Sequence, residues 1–508
     1  MLKKIRISFA IVFFGFITLL FLDFTGTLHT WFGWMAKFQF MPAVLALNIG
    51  AIVLLVLLTL FLGRVYCSVI CPLGIFQDIA ARFGKWGKKM PYSFSLAKSW
   101  LRYSVLALFV AAIIFGVSVL TVMLDPYAAY GRMANQLFSP LWQWGNNLLA
   151  AIAERVDSYA FYTTDVWMKS LPTLIIAAVT FVVVVFLAWR NGRTYCNTIC
   201  PVGTFLGFLS RFSLFKIRID GQKCNKCRIC ERNCKAACIN SKEFTIDYSR
   251  CVSCMNCINQ CNRGAVGYKF VYPSFDEALK SINPVLNSGQ PSKIDVGRKG
   301  FLIAISAFAA SALKAQVILK ATDIKVDGGL ADILDKEAPD RLTPLTPAGS
   351  LSVRNMKRHC TACQLCVTVC PNSILRPSNS LNTWMQPFMS FERGYCRPEC
   401  VKCSEVCPTG AINKISKEEK SSIQIGRAVW VRERCIPLVD EQECNTCEHH
   451  CPTSAIVMVS SVPGDDQALK IPAVNEELCI GCGTCEYLCP SRPLSAIYVE
   501  GSQIHRNI

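Results

Sequence analysis

The stretch from residue 224 to residue 261 decides how the whole chain is interpreted. It contains two runs of four cysteines, which read CNKCRICERNC (224–234) and CVSCMNCINQC (251–261). This spacing lets one tight loop place three thiolates around a [4Fe–4S] cluster, while the fourth ligand comes from the other run. A zinc ribbon needs only two Cys-x2-Cys pairs, so it would leave the other cysteines without a ligand role.

The exchange of the fourth cysteine between the two runs predicts the ligands of two clusters. Lys235 and Asn262 follow the last cysteines, where ferredoxin runs have proline, and this changes the surroundings of the clusters without removing a ligand. The predicted sets are Cys224, Cys227 and Cys230 with Cys261, and Cys251, Cys254 and Cys257 with Cys234.

Four further runs lie between residues 360 and 489, and each ends in Cys-Pro. The third run has an insertion that a surface loop accommodates. We expect the outer two runs to exchange their last cysteine and the inner two to do the same, which predicts four more clusters. The predicted sets are Cys360, Cys363, Cys366 with Cys489; Cys479, Cys482, Cys485 with Cys370; Cys396, Cys400, Cys403 with Cys451; and Cys435, Cys444, Cys447 with Cys407. Six clusters then use 24 of the 29 cysteines, and Cys238 is interpreted as a small core residue.

The composition indicates a membrane protein. Hydrophobic residues make up 52% of the chain, and the mean hydropathy is +0.34. A helix needs about 20 apolar residues to cross the hydrocarbon core of a bilayer. Four segments are predicted to do so, and they are 7–23, 41–63, 101–124 and 171–189.

Basic residues are concentrated in the first part of the chain. Residues 1–319 contain 33 Lys and Arg against 13 Asp and Glu, whereas residues 320–508 contain 20 against 22. The basic residues flank the apolar segments at the N-terminus, in the 64–100 loop and after residue 190. The positive-inside rule places these parts in the cytoplasm, and the same distribution argues against a nucleic-acid-binding face.

The apolar part of the chain contains an internal repeat. GRVYCSVICPLGIF (63–76) recurs as GRTYCNTICPVGTF (192–205), each time after the second helix of a predicted hairpin. The membrane part is therefore predicted to be two parallel copies of a helical hairpin, an arrangement that often brackets a site.

Each copy of the repeat contributes one Cys-x3-Cys-Pro motif. Cysteines four residues apart share one face of a helix. The two pairs either converge on one metal, act as redox dithiols or are buried structural thiols, and we favour a redox role. The cysteines concerned are Cys67, Cys71, Cys196 and Cys200.

These features predict a polytopic α-helical membrane domain of four spans plus a fifth, with two α+β ferredoxin-like iron–sulfur domains. The sequence GRKGFL (297–302) is similar to a twin-arginine export signal with Lys in place of the second Arg, so the following apolar segment is either a signal-anchor or a fifth span. Both interpretations place residues 320–508 outside. The predicted parts are a membrane domain (1–219), a cytoplasmic two-cluster ferredoxin domain (220–270), a linker (271–299), the signal-anchor or fifth span (300–319), a second linker (320–350) and a periplasmic four-cluster domain (351–508).

The first half of the chain resembles the NapH/MauN family of membrane ferredoxin-type proteins, which is related to the NosR and CcoG proteins. The resemblance rests on the span pattern, the duplicated Cys-x3-Cys-Pro-x-Gly motif and the double cluster run. The second half is similar to the NapG/MauM family, with an export signal followed by four cluster runs. The resemblance implies a fusion of the two partners that moves electrons from membrane quinol toward a periplasmic oxidoreductase.

The main functional hypothesis is therefore a quinol dehydrogenase or electron-transfer subunit with six [4Fe–4S] clusters. Its expected partners are the quinone pool and a periplasmic reductase or c-type cytochrome. No haem is expected, because residues 1–319 contain one histidine, His29, and no Cys-x2-Cys-His motif occurs. Candidate quinol-site residues are Asp23, His29 and Asp125, although each also fits an ordinary polar residue at the membrane interface.

Two alternatives remain open from the residues alone. In the first, a cytoplasmic ferredoxin or flavodoxin donates electrons to the basic 190–299 region, which has 18 Lys and Arg against 7 Asp and Glu. In the second, the protein is a redox assembly factor that matures a metalloenzyme through its Cys-x3-Cys-Pro pairs. The sequence does not fix the terminal acceptor, the direction of electron flow or the cluster potentials, which span roughly −700 to +450 mV for this class.

Overall fold

The computed structural model describes residues 2–84, 92–158, 161–271, 325–326, 332–465 and 467–508. They form a helical bundle (2–212), a small Cys-rich domain (213–271) and a large Cys-rich domain (332–508). The predicted segment 300–319 and, apart from its first residue, the predicted linker 271–299 lie outside the described residues.

Four apolar helices make up the frame of the bundle. In chain order they span Leu2–Leu22, Ile49–Leu62, Ser99–Phe115 and Leu171–Asn191, and they are called here the first to fourth apolar helices. The first and fourth, with 21 residues each, are long and apolar enough to cross a membrane. The second and third are apolar but shorter.

The second and third apolar helices are shorter than predicted because the backbone turns within the apolar segments. Leu47 has a φ of 51°, and the Asn48 side chain then caps the new helix by accepting a hydrogen bond from Ala51 N at 3.2 Å. Gly116, with a φ of 72°, ends the third helix. A left-handed residue at this place is a common helix terminator.

Further helices, most of them short, fill the space between the apolar helices. The helix Ser139–Glu154 is the longest of them, and Ala134–Phe138 is a π-helical turn before it. The others are Thr27–Phe32, Trp34–Lys37, Phe40–Leu45, Tyr66–Val69, Pro72–Phe83, Ser118–Leu124, Pro126–Met133, Thr194–Thr198, Pro201–Leu209 and the 3-10 turn Ser210–Phe212.

The small Cys-rich domain has two antiparallel strand pairs. Phe215–Ile219 pairs with Val266–Phe270, and Ile239–Asn240 pairs with Thr245–Ile246. Two one-turn helices, Ile229–Arg232 and Asn256–Asn259, lie within the cysteine runs. The paired strands bring the two ends of the domain together, so the cysteine runs between them face each other.

The large Cys-rich domain is built from antiparallel strand pairs and short helices. The strand pairs are Ile423–Trp430 with Ile497–Asn507, Ile456–Ser460 with Lys470–Val474, Leu375–Pro377 with Pro387–Met389, and the two-residue pair Lys325–Val326 with Asp332–Ile333. The helices are Val353–His359, Leu365–Val369, Leu381–Thr383, Lys402–Val406, Lys417–Ser422, Arg432–Arg434, Ile436–Val439, Thr446–His449 and Thr484–Leu488.

The last part of the predicted linker 320–350 belongs to this domain. Leu345 is fully buried, and Ala348 is 5% exposed. Lys336 donates hydrogen bonds to the carbonyl oxygens of Glu486 and Cys489 at 2.6 and 2.8 Å. A Pro- and Asp-containing composition suggested a linker, but these contacts fix the segment to the domain.

The bundle connects the two Cys-rich domains. At one end, Tyr268 of the small domain donates to Leu62 O at 2.9 Å, and Arg193 N donates to Lys235 O at 2.9 Å. At the other end, Lys402 of the large domain donates to Thr25 O at 2.9 Å. Contacts from Ser118 to Asn382 and from Ser170 to Asn379, at 3.3 and 3.0 Å, join the segments that follow the third apolar helix and precede the fourth to the same domain. The small and large domains therefore lie at opposite ends of the apolar helices.

Candidate iron–sulfur sites

Four of the six cysteine runs share one backbone conformation. In each, the residues directly before and after the second cysteine have positive φ values, between 48° and 79°. Successive residues that alternate in this way turn their N–H groups toward one concave side, which suits a negatively charged cluster. The residue pairs are Lys226 and Arg228, Ser253 and Met255, Ala362 and Gln364, and Gly481 and Gly483.

Backbone N–H groups point at several of the sulfur atoms. Ala362 N lies 3.4 Å from Cys360 Sγ, Ala455 N lies 3.2 Å from Cys451 Sγ, and Ala496 N lies 3.3 Å from Cys489 Sγ. Hydrogen bonds of this kind stabilise thiolate and cluster sulfur. These N–H groups would therefore stabilise sulfur that carries negative charge in a bound cluster.

In the small domain, Cys234 lies with Cys251, Cys254 and Cys257 around one cavity, which is the set that the exchange rule predicts. Cys238 lines the same cavity, 3.5 Å from Cys234 Sγ. In the run 224–234, Cys224 and Cys227 lie close enough to Cys230 to interact electrostatically with its thiol. Its predicted fourth member, Cys261, packs against the same domain core as Cys230.

In the large domain, the predicted exchange between outer runs and between inner runs is wrong. Each run is instead completed by its neighbour in the sequence, so that the first and second runs form one unit and the third and fourth form another. The sets that surround single cavities are Cys360, Cys363, Cys366 with Cys407; Cys396, Cys400, Cys403 with Cys370; Cys435, Cys444, Cys447 with Cys489; and Cys479, Cys482, Cys485 with Cys451.

Helix packing explains the corrected sets. The helix Leu365–Val369 of the first run packs against Lys402–Val406 of the second, and Thr446–His449 of the third packs against Thr484–Leu488 of the fourth. The last cysteine of each run directly follows, or nearly follows, its helix. Packing two such helices together therefore carries each last cysteine to the partner's loop.

The electrostatics of these sets fit a bound cationic iron core. Burial and the neighbouring Cys444 raise the pKa of Cys447 to about 12. Burial likewise raises the pKa of Cys396 to about 11, although the Lys420 ammonium opposes the shift. Without iron these thiols are protonated at neutral pH, and a metal must displace the protons to bind. Four thiols around one cavity match the ligand set of a [4Fe–4S] cluster.

Two lysines beside the cysteine sets, the buried Lys420 and the half-buried Lys336, were not anticipated from the sequence. Lys420 donates to the carbonyl oxygens of Arg397 and Cys400, and Lys336 donates to those of Glu486, Tyr487 and Cys489. Both ammonium groups therefore place positive charge beside a cysteine set. No spacing rule marks these lysines, since they come from segments outside the cysteine runs.

The structure pairs two of the three candidate quinol-site residues. Asp23 Oδ2 lies 3.3 Å from His29 Nδ1, and both residues are less than 10% exposed. Asp125 is fully buried and caps the helix Pro126–Met133 by accepting from Tyr127 N and Ala128 N at 3.1 and 3.2 Å. Asp125 belongs to a separate polar group.

Asp125 lies in a buried polar group beside the first cysteine set of the large domain. Arg132 is 1% exposed and within electrostatic range of Asp125 and Cys363. Tyr127 is within range of Cys363 and Cys407. The Tyr127 hydroxyl and Arg132 Nη1 have no hydrogen-bond partner among the described residues. The sequence did not single out Arg132 or Tyr127.

The Cys-x3-Cys-Pro motifs of the two repeat copies meet inside the bundle. Their four cysteines, Cys67, Cys71, Cys196 and Cys200, are called here the central cysteines, and each is 3–4% exposed. Cys71 is within electrostatic range of Cys67 and Cys196, and Cys200 is within range of the other three. Gln77 donates a hydrogen bond to Cys196 Sγ at 3.2 Å.

Two sequence families match segments of this chain. The family described as "4Fe-4S binding domain" matches residues 44–91 and 171–220, the two segments that carry the central cysteines. The family described as "4Fe-4S dicluster domain" matches residues 442–492. No solved structure matches the chain.

Several curated proteins are similar to parts of the chain. The methylamine utilization ferredoxin-type protein MauM of Methylobacillus flagellatus is 30% identical over 177 residues, which cover 32% of this chain and 70% of MauM. The ferredoxin-type protein NapF of Escherichia coli is 26% identical over 178 residues, 35% of this chain and 99% of NapF. An uncharacterized protein of Methanocaldococcus jannaschii is 25% identical over 277 residues, 53% of this chain and 96% of its own length. With its cysteine sets and these relatives, the chain belongs to the family of ferredoxin-type iron–sulfur proteins that includes MauM.

Proposed function

We propose that this protein carries electrons across a bacterial cytoplasmic membrane, from membrane quinol through [4Fe–4S] clusters to a periplasmic oxidoreductase. The observation that carries the proposal is the placement of the two Cys-rich domains at opposite ends of the apolar helices. When bound, the clusters accept and donate single electrons. The chain supplies the ligands, the charges around them and the protein medium between the two domains.

The surface of the bundle supports a membrane location. Phe9, Val53, Ile114 and Phe186, one from each apolar helix, are between 49% and 73% exposed. The helices of a soluble core would bury such side chains, whereas lipid covers them at no cost. We assign four spans to the bundle. The two shorter apolar helices cross the membrane where the bilayer is locally thinner or where flanking short helices add to their length.

The charge distribution orients the proposed spans. Of the basic residues in the bundle and the small domain, most lie in the small domain and near the adjacent ends of the helices, so we place that end in the cytoplasm. The large domain then lies in the periplasm. Residues 190–299 are cytoplasmic and 320–508 periplasmic in this arrangement.

Quinol oxidation needs groups that accept protons close to an electron acceptor. The buried Asp23–His29 pair and the Asp125 group lie at the end of the bundle that contacts the large domain. His29 Nε2, the Tyr127 hydroxyl and Arg132 Nη1 are buried without a partner among the described residues, and such atoms are costly unless a ligand or water satisfies them. We propose that Asp125 and Arg132 orient the quinol and that His29 takes up a proton.

Anaerobic reduction of the full-length protein in detergent tests the quinol step. A reduced menaquinone analogue is expected to bleach the cluster absorbance rapidly, and a quinone-site inhibitor is expected to block it. The D125N variant should slow this reduction by about 10²-fold, because quinol would lose a group that orients it. The D165N variant is the matched control, because Asp165 is an exposed residue at the same end of the bundle. Equal rates for D125N and wild type would exclude a role for Asp125 in this step.

A soluble cytoplasmic electron donor is the second candidate. Cys227, in the first run of the small domain, is exposed, and the domain surface around it carries Lys226 and Arg228. An exposed cluster with basic neighbours suits docking of an acidic ferredoxin or flavodoxin. Prompt reduction by a low-potential ferredoxin, with none by quinol, would favour this candidate over the quinol dehydrogenase.

The acceptor side is proposed from the insertion in the third run. Asp440, Glu441 and Glu443 are all exposed and lead directly into Cys444. An acidic surface beside a cluster suits a c-type cytochrome or reductase with a basic docking face. Oxidation of the reduced protein by a basic cytochrome should slow with added salt. Reversal of these three charges to lysine should invert this dependence, because salt then screens a repulsion.

A further inference from the structure

The central cysteines are not explained by the six cluster sets. Each repeat copy supplies only two of them, and a cluster needs four protein ligands. Both segments nevertheless match a family described as a 4Fe-4S binding domain. Since neither segment holds enough cysteines by itself, the two copies must combine if they bind a cluster.

The fold does combine them. Cys71 and Cys200 occupy the position before the helices Pro72–Phe83 and Pro201–Leu209, and the four thiols lie within electrostatic range of one another. Gly203 N donates to Cys200 Sγ at 3.3 Å. The copies also interlock, because Arg193 of the second donates to Cys67 O and Arg64 of the first donates to Cys196 O.

The spacing of the thiols fits a cluster better than a single metal ion. Among the described residues, no three His, Cys, Asp or Glu side chains converge closely enough to share one ion. The same holds for the cysteine sets that surround cavities, where four thiols suit a cube of iron and sulfide. In lacking a site for a single ion, the central cysteines resemble those sets.

The charges around the central cysteines require an anion. Arg64 is completely buried, and within the described parts of the chain it contacts no carboxylate at ion-pair distance. Its Nη2 lies 3.7 Å from Cys67 Sγ, while Nη1 donates to the neutral Asn197 Oδ1 at 3.0 Å. A buried cation without a counter-charge is strongly unfavourable. Four thiolates around an iron–sulfur core supply that negative charge.

We propose that the central cysteines hold a seventh [4Fe–4S] cluster at the interface of the two repeat copies. On one side, Arg64 is within electrostatic range of Cys251 in the small domain. On the other, Tyr195 is within range of Cys200 and Arg132, and Arg132 is within range of Cys363 in the large domain. The seventh cluster lies between the sites of these two domains. This inference does not depend on whether quinol or a soluble protein is the donor.

Iron and acid-labile sulfide analysis of the full-length protein tests the proposal. Seven cubes require about 28 iron atoms per chain, against about 24 for six. The C67S/C196S double variant is expected to lose about four iron atoms and four sulfides, with loss of one cluster component from the Mössbauer spectrum. T59S is the control, because Thr59 is equally buried in the bundle and its hydroxyl bonds, among the described residues, only to Leu55 O, so this variant should keep the full count.

Three results would overturn the assignment. They are a wild-type count of about 24 iron atoms, an unchanged count in the double variant, or a loss of only about two iron atoms, which indicates a [2Fe–2S] cluster. The wild-type count remains decisive even if the double variant does not fold. Mass spectrometry of the denatured wild-type protein under non-reducing conditions adds an independent measurement. A disulfide between central cysteines in the anaerobically purified protein would show that they form a redox dithiol pair and hold no cluster.

Discussion

The two copies of the repeat share a sequence but use their buried arginines differently. Arg193 of the second copy donates to Asp78 Oδ1 at 2.9 Å, and that carboxylate also pairs with Arg6 and Lys235 at 3.2 and 3.3 Å. Arg64, the same position in the first copy, donates instead to the carbonyl oxygen of Ser249 at 3.0 Å. Asp78 thus neutralises Arg193 inside the bundle, whereas Arg64 contacts the central cysteines and the small domain.

The origin of the difference lies two residues beyond the matching sequence. Asp78 corresponds to Gly207 in the second copy. A Cβ atom at Gly207 would collide with the Ser249 carbonyl oxygen, so the missing side chain makes room for the small domain. Because the copies differ at this position, the second hairpin can approach the small domain closely.

The largest expected effect comes from removing the carboxylate of the first copy. The substitution Asp78→Asn leaves the fully buried Arg193 without its counter-charge, which should cost about 3–5 kcal/mol of stability. Thermal unfolding in detergent, followed by tryptophan fluorescence, measures the loss. Asp165→Asn breaks an exposed ion pair with Arg393 and should cost less than about 1 kcal/mol. Equal shifts for the two variants would mean that Arg193 finds another partner.

A smaller effect is expected from filling the gap in the second copy. The substitution Gly207→Ala forces the Ser249 backbone away and should cost about 1–3 kcal/mol, the usual range for overpacking. Limited proteolysis of the small domain should accelerate in parallel. Gly145→Ala is the control, because nothing lies within 4 Å of a Cβ there and alanine favours its helix by about 0.5–1 kcal/mol. If both glycine variants resist protease equally, the close approach at Gly207 does not hold the domain.

Asp247 of the small domain accepts a hydrogen bond from Ser249, which in turn accepts from Arg102 and Arg64 of the bundle. Burial acts to raise its pKa, but the Arg250 guanidinium at 2.6 Å, the Ser249 hydroxyl and Arg102 hold the pKa below its usual range. The folded state therefore favours the carboxylate, and this contribution is complete above the unfolded pKa of about 3.9 and is lost as the pH falls through the folded pKa.

The substitution Asp247→Asn should accordingly cost about 1–2 kcal/mol at neutral pH, because it weakens hydrogen bonds to a charged group. The difference in unfolding temperature between variant and wild type should shrink as the pH falls below about 4. Glu243→Gln in the same domain is the control, since Glu243 is exposed. A difference that stays constant from pH 7 to pH 3 would show that the charge of Asp247 does not hold the domain.

The comparison also shows what the sequence determines and what it leaves open. Cysteine spacing predicts the loops, because three ligands of each set come from one short segment. It does not predict which last cysteine completes a set in the large domain, since that depends on how helices such as Leu365–Val369 and Lys402–Val406 pack. The rule that worked for Cys234 failed for Cys370 and Cys407 when four runs offered several partners.

The repeated sequence marks the two arginines but does not indicate their partners. Arg64 and Arg193 occur at the same position of the repeated sequence, which marks them as parts of one arrangement. Their different partners come from Asp78, Gly207 and Ser249, two of which lie beyond the matching stretch and one in another domain. Long-range contacts of this kind follow from packing, and periodicity or spacing carries no information about them.

The smallest expected change in stability concerns Gln77, whose counterpart in the second copy is Leu206. Gln77 Nε2 donates to Cys196 Sγ at 3.2 Å, while its Oε1 is buried without a partner in the described part of the chain. The substitution Gln77→Leu makes the copies alike at this position. It should change stability by less than about 1 kcal/mol, because the loss of two long hydrogen bonds, to Leu73 O and Cys196 Sγ, is offset by removal of an unsatisfied oxygen. With the proposed seventh cluster in place, the same substitution should lower that cluster's reduction potential, since a hydrogen bond to sulfur favours the more negative reduced state. A redox titration followed by EPR separates the two effects, and a potential that does not move would place the Cys196 sulfur outside any cluster.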